Sequence, residues 1–420
     1  MRYILRNVSI FDGTGQAPQR GAVVVKGERI EEVIAGDAPV TAAAGVVIID
    51  GHGGTLMPGL VEAHAHLTWP SSIEKIYHAF VLPPDEMKVA AWRNARVLLE
   101  SGFTSAYSAG ALHDTMEVEL RDAIAAGRTP GPRLKASTIE RSPEGAEGVE
   151  TGNVNHGRGP QAMQAFVARC KEIGIDSIKL VVSGEDALKP GSSHDLLYTE
   201  EEMQAAGAAS RAAGLWMAAH TQGCEAVKMA LRAGVRTLYH CTYADAEAFE
   251  MLVANKDQIF VAPAIGIIVA TLEAKPPPHI DMSSMKEMAK PVIEKTRQLI
   301  PALKRAGVRI LPGGDYGFPF NPTGLNARDL QHFVDLYGYT PSEAIVAATK
   351  LGGELMGMGD ELGQVKPGYL ADLLLIDGDP TQDVRLLQDR NRIAMIMQAG
   401  RLHKAPAGVG GAASAKAAAN

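Results

Sequence analysis

Thr55-Leu56-Met57-Pro58-Gly59-Leu60-Val61-Glu62-Ala63-His64-Ala65-His66-Leu67 is the stretch on which the reading of this chain turns. An apolar run leads into a Pro-Gly pair, and two imidazoles follow at a spacing of two. Alternate residues of a strand share a face, so both rings can address one point. Two neutral imidazoles make half of an ordinary zinc coordination shell. Taken alone, the pair also fits two unrelated surface histidines. The choice depends on whether neighbouring strands supply further ligands.

Working outward, short apolar strands alternate with longer helical segments from residue 57 to residue 356. Strands are expected at 60–64, 104–107, 133–136, 177–182, 216–220, 237–241, 259–263 and 309–313. Helices are expected between most of them, including 87–101 and 200–213, the latter with the acidic first turn that suits a helix N-terminus. Repeated strand–helix units imply an α/β fold with a parallel sheet, and eight of them a closed (β/α)8 TIM barrel. Residues 1–56 carry strand signals at 3–10, 22–25, 29–34 and 45–49. Residues 357–404 carry more, at 363–365, 371–376 and 393–398. The two flanks are expected to form one small β-sandwich domain built from both chain termini. The Ala-, Gly- and Ser-rich tail, 405–420, has little to bury and is expected to be disordered.

Composition narrows the function. Of 420 residues, 46% are hydrophobic and 21% charged, ordinary for a globular enzyme with a sizeable core. A formal charge of −7 argues against a nucleic-acid partner. Cys170, Cys224 and Cys241 form no paired spacing, so a reducing, cytoplasmic setting is expected. The first residues read as a strand rather than a signal peptide, and no apolar stretch is long enough to span a bilayer.

Barrel enzymes place their chemistry at the C-terminal ends of the strands. The first expected strand ends in His64 and His66, the fifth in His220, the sixth in His240 and the eighth in Asp315. Five ligand-type side chains therefore converge on one mouth. The fourth strand holds Lys179 in an apolar setting, where burial disfavours a charged ammonium. A neutral amine there can add CO2 to become a carbamate, whose two oxygens can bridge two cations. The same residue is also compatible with a snorkelling lysine or a salt-bridge partner.

On these stretches the chain resembles the amidohydrolase superfamily, from Asn7 to Gly400. The similarity also runs through Asp176 to Leu180, Glu343-Ala344-Ile345, Leu362-Gly363 and Gly368-Tyr369-Leu370-Ala371-Asp372-Leu373. Within it the chain looks like the binuclear, carboxylated-lysine branch. That branch holds imidazolonepropionase-related and Xaa-Pro dipeptidases, ochratoxinase-like enzymes, and hydrolases of phenylureas and thiocarbamates. The resemblance implies that His64, His66 and Asp315 hold the more buried of two divalent ions, with zinc foremost. His220 and His240 would hold the second, and a CO2-derived carbamate on Lys179 would bridge them together with a hydroxide. Asp315 would also be the catalytic proton shuttle. Two departures stand out. Glu62 occupies the place of a usual Asp, and Ile139-Glu140-Arg141-Ser142-Pro143-Glu144-Gly145 replaces the Gly-Gly-His-like turn common in dipeptidases.

The expected activity is metal-dependent cleavage of a C–N bond in an N-acyl amino acid or dipeptide-like amide. A urea, carbamate or thiocarbamate follows closely; a lactone and a metal-binding barrel without turnover are more distant alternatives. Specificity should lie in the loops after the strands. Gln222 and Tyr243 lie just past two ligands, while His156 and Arg158 offer a carboxylate clamp or mere solvated loop charge. Met282, Met285 and Met288 offer a greasy lid or a helix core. His52 and His113 are expected to be structural or surface residues. The partner is a small molecule, and a homo-oligomer is expected.

Overall fold

The structure, a computed structural model, describes residues 1–36, 45–72, 82–143, 157–186, 189–406 and 409. His156 and nearly all of the expected disordered tail lie outside the described residues. Two compact units emerge. One is Met1–Val61, Leu98–Ser105 and Tyr339–Asn420; the other is Glu62–Val97 and Ala106–Gly338.

The first unit is built on one mixed sheet of eight strands. Its N-terminal strands are β1 (Arg2–Ile10), β2 (Gln19–Lys26), β3 (Arg29–Ala35), β4 (Val46–Asp50) and β5 (Thr55–Pro58). Both β4 and β5 run parallel to β1. The C-terminal strands join through β5, because the strand Leu373–Ile376 pairs antiparallel with it, Leu373 against Pro58 and Ile376 against Thr55. Leu5, Val23, Val25, Leu56, Leu373, Leu375, Met395 and Met397 are fully or almost fully buried in its core. Two details differ from the sequence reading. The segment 363–365 is not a strand: Val365 donates its N–H to Asp12 O instead of joining a ladder. A closing strand, Arg401–Lys404, was not anticipated.

Sequence order then gives β6 (Leu60–Ala65), β7 (Phe103–Ser108) and β8 (Arg133–Lys135), which form a three-stranded sheet. Next come β9 (Ser177–Val181), β10 (Trp216–Gly223), β11 (Thr237–Tyr243) and β12 (Phe260–Ala262), joined in a parallel sheet of four. The remaining strands, β13 (Leu373–Ile376), β14 (Ile393–Gln398) and β15 (Arg401–Lys404), are those of the terminal sheet. Isolated parallel bridges join Arg141 to Leu180, Val261 to Ile310 and Ala65 to Tyr316. The expected eighth strand, 309–313, makes only the bridge at Ile310. Pro312 has no N–H to donate and is followed by two glycines, so a ladder cannot extend there.

A repeated local device delivers β9, β10 and β11 in register. Each preceding helix ends at a glycine with left-handed backbone: Gly174 (φ 83°), Gly214 (φ 69°) and Gly234 (φ 83°). The next residue, Ile175, Leu215 or Val235, is buried and returns its N–H to a carbonyl five residues back. This is the Schellman ending, with its usual apolar contact. The helix Glu200–Ala213 also carries a full capping box between Thr199 and Glu202. Cys170, Cys224 and Cys241 are all free thiols. Among the described residues no helix is long and apolar enough to cross a membrane.

Glu117, in the helix Met116–Ala125, is fully buried. Burial pushes its carboxyl up to about 7, against the hydrogen bonds from Ser108 and Ser137 that pull it down. The folded chain therefore holds a proton that the unfolded chain releases near 4.5. Its contribution is fully present below the unfolded value and falls as pH rises toward 7, by about 3 kcal/mol for a shift of this size. Chemical denaturation should show Glu117→Gln gaining stability relative to wild type as pH rises from 4 to 8. Parallel pH profiles for the two proteins would mean that Glu117 ionises in the fold without penalty.

Candidate active site

His64 lies on β6 and His66 just beyond its end; both are almost fully buried. Glu62, two residues earlier on the same strand, accepts the His64 N–H (2.8 Å) and a hydrogen bond from Asn326 (2.7 Å). Tyr239 stacks on the His64 ring at 3.9 Å and donates its hydroxyl to Ala63 O. Asp315 comes to the same point from the segment after Ile310. Its Oδ1 is 3.1 Å from His66 Nε2 and 3.6 Å from His64 Nε2. His64, His66 and Asp315 thus form one group of potential cation donors.

Asp315 is held by its backbone. It has a left-handed φ of 60°, rare outside glycine, and such conformations persist only where the surroundings impose them. Asn321 imposes it here by donating to both Gly314 O (2.8 Å) and Asp315 O (2.9 Å). Gly314 must lack a side chain, since a Cβ would lie 2.5 Å from Tyr316 and 2.7 Å from Asp329 Oδ1.

The second group comprises His220 on β10, His240 on β11 and Glu185 in the loop after β9. The His220 and His240 rings are 4.4 Å apart. His240 and Cys241 both have left-handed backbone, at φ 70° and 54°. The β10–β11 register slips between Thr221 and Gly223 at this point, so a bulge turns the strand where the second imidazole is presented.

Close to histidines of both groups is Lys179, on β9 and almost fully buried. Its Nζ donates to Ala109 O (2.8 Å), lies 3.5 Å from Glu140 Oε1 and sits 4.5 Å from the Tyr239 ring centre. Glu140 Oε1 is also 3.6 Å from His66 Nδ1.

The electrostatics suit cation binding. Burial, with Lys179 beside them, drives His64 and His220 down, His220 to about 4. Burial and the neighbouring His220 do the same to His240. All three are neutral imidazoles, the form that binds a metal. Burial also opposes charge on His66, but the adjoining Asp315 carboxylate outweighs it and raises that ring. Among the described residues, the buried His64 Nδ1 finds no hydrogen-bond partner, and buried Asp315 Oδ1 meets only the His66 ring. Such atoms are costly unless a further group meets them, and a divalent cation fits this donor set.

The other candidates are distributed differently. Gln222 is buried and donates to Glu185 Oε2 (2.7 Å), so it backs the second group. Tyr243 donates to Asp186 Oδ2 (3.1 Å), and its ring centre lies 5.2 Å from that of His194. Arg158 is exposed and donates to Leu197 O. His52 is exposed, and His113 accepts the Thr115 N–H. Met282 is buried, while Met285 and Met288 are half-buried on the helix Ser283–Arg305.

Residues 55–403 match the amidohydrolase family, and the chain belongs to it. It is a hydrolase acting on C–N bonds. The chain is 25% identical to ochratoxinase of Aspergillus niger over 380 residues, covering 84% of this chain and 76% of that one. A solved Xaa-Pro dipeptidase with bound methionine superposes with a TM-score of 0.83 at 25% identity, covering 96% of this chain and 100% of the other. Phenylurea hydrolase B shares the fold, with a TM-score of 0.76 at 21% identity and 96% of each chain covered.

Proposed function

We propose that this chain cleaves the C–N bond of an amide-like substrate, an N-acyl amino acid or a dipeptide, at a centre of two divalent ions, zinc foremost. The observation that carries this reading is the nearness of two donor groups, His64/His66/Asp315 and Glu185/His220/His240, with buried Lys179 beside histidines of both. The ochratoxinase and dipeptidase likenesses support it. A closed (β/α)8 barrel over 57–356 would bring these strand ends to one mouth. The bridges from β12 to Ile310 and from Tyr316 to Ala65 support that closure. The flanks, 1–56 and 357–404, would complete a small β domain in a cytoplasmic homo-oligomer.

His64, His66 and Asp315 would hold one ion, and His220 and His240 the other, with a carbamate on Lys179 between them. When bound, the ions supply an acidified water and polarisation of the substrate carbonyl. The residues do the rest. The Asp315 carboxylate takes the proton of the attacking water and returns it to the departing nitrogen, which leaves poorly as an anion. Asn321 and Gly314 fix that carboxylate in place.

A urea or carbamate is the second reading. It rests on Glu140, whose carboxylate lies beside His66 and Lys179 where dipeptidases commonly carry a Gly-Gly-His-like turn. A mass-spectrometric hydrolysis screen over N-acyl amino acids, dipeptides, phenylureas and carbamates separates the two. Turnover should be greatest on the amides, vanish after chelation and return with zinc. Metal-replete protein carrying at most one ion per chain by elemental analysis would refute the binuclear centre.

A further inference from the structure

We propose that Glu185 is a protein donor to the second ion, making that site a self-sufficient His–His–Glu set. The inference rests on the binuclear reading above and extends it. Glu185 follows β9 by a few residues, and its carboxylate reaches the His220/His240 pair. Its Oε2 lies 3.8 Å from His220 Nε2. That separation is too long for a hydrogen bond, but it suits two donors of one cation, each about 2.0–2.2 Å from the metal. The first group has the same spacing, 3.6 Å between His64 Nε2 and Asp315 Oδ1.

The carboxylate is also held in place. Gln222 Nε2 donates to Glu185 Oε2 at 2.7 Å, and the Gln222 backbone N–H is fixed by Ser183 Oγ at 2.9 Å. Gln222 is almost fully buried, and the Glu185 side chain is only 19% exposed. A donor oriented by a buried partner is the arrangement that metal sites use to fix ligand geometry. With Glu185 present, the second ion does not depend on Lys179 alone for an anionic donor, so the site should bind a cation before the lysine is carboxylated.

Another role competes on the same geometry. His220 Nε2 lies 3.3 Å from Gly184 O, and Glu185 could serve only to orient that ring. Glu185→Gln separates the two roles. Its amide oxygen can still accept a hydrogen bond, but it is a far weaker metal donor than a carboxylate. Chelator-stripped full-length protein is titrated with zinc against a chromophoric chelator, with bound zinc counted by elemental analysis and folding checked by circular dichroism.

Wild type should bind two ions. Glu185→Gln and Glu185→Ala should both weaken the second at least about tenfold and leave the first unchanged. Second-site affinity kept in Glu185→Gln would overturn the donor role, whether or not Glu185→Ala weakens it. Wild type binding fewer than two ions would instead strike at the binuclear reading. If neither variant folds, X-ray absorption and a zinc-soaked crystal of wild type decide it, by the presence or absence of a Glu185 oxygen at about 2.0–2.2 Å from the metal.

Discussion

Asp315→Asn should lower kcat by about a hundredfold to ten-thousandfold, the usual worth of a positioned general acid–base group, with KM changed far less. Asn keeps the shape of the side chain. The left-handed backbone is tolerated by Asn as readily as by Asp, and the two clamps from Asn321 act on main-chain oxygens that the substitution leaves alone. The change removes the carboxylate that the proposed mechanism uses as base, whose Oδ1 lies 3.1 Å from His66 Nε2. Asp315 also belongs to the first donor group, so zinc content must be measured in the same sample. A fully loaded Asn variant with near-normal turnover would assign the proton to another residue. Glu140 would be the first to test, 3.6 Å from His66 Nδ1.

Much of this site was legible because it obeys one rule: polar residues that end apolar strands. His64, His66, His220, His240 and Asp315 all lie at the ends of expected strands, and the structure brings them into two neighbouring groups with Lys179 beside them. Glu185 and Glu140 were missed because they lie in loops after β9 and β8, where carboxylates are common and usually solvated. Glu185 still carried a signal: it follows a strand end by only a few residues, at the mouth where the other ligands meet. Arg158, in a long Gly-rich loop that fits either a clamp or a solvated charge, is exposed and donates to Leu197 O.

The alternation of strands and helices was legible for a related reason. Helix-ending glycines followed by a buried aliphatic residue set the start of β9, β10 and β11, and these signals are local. The expected eighth strand reduces to a bridge at Ile310, because Pro312 and its glycines interrupt the apolar run. The terminal sheet depends on pairing β5 with β13, partners more than three hundred residues apart. Strand signals give the ends of such a pair but not its register.

Lys179→Ala should reduce kcat/KM by about a thousandfold, since losing a charge-stabilising bridge at such a centre costs several kcal/mol and each 1.4 kcal/mol is a factor of ten. The geometry sharpens what that loss would mean. With Glu140 Oε1 3.5 Å from Nζ, an ammonium at Lys179 has a ready ion-pair partner. A carbamate would instead place an anion beside that carboxylate, so cations must lie close enough to offset the repulsion. The two forms predict different rescues. If Lys179 acts as a carbamate, acetate or propionate should partly restore the Ala variant by replacing the bridge. Wild type incubated with 13C-bicarbonate should then show a carbamate carbon resonance that the variant lacks. If it acts as an ammonium, small alkylamines should restore activity and carboxylic acids should not. Rescue by amines, with no labelled carbon in fully metallated and active wild type, would end the carbamate assignment and make the Glu140–Lys179 ion pair the working element of the centre.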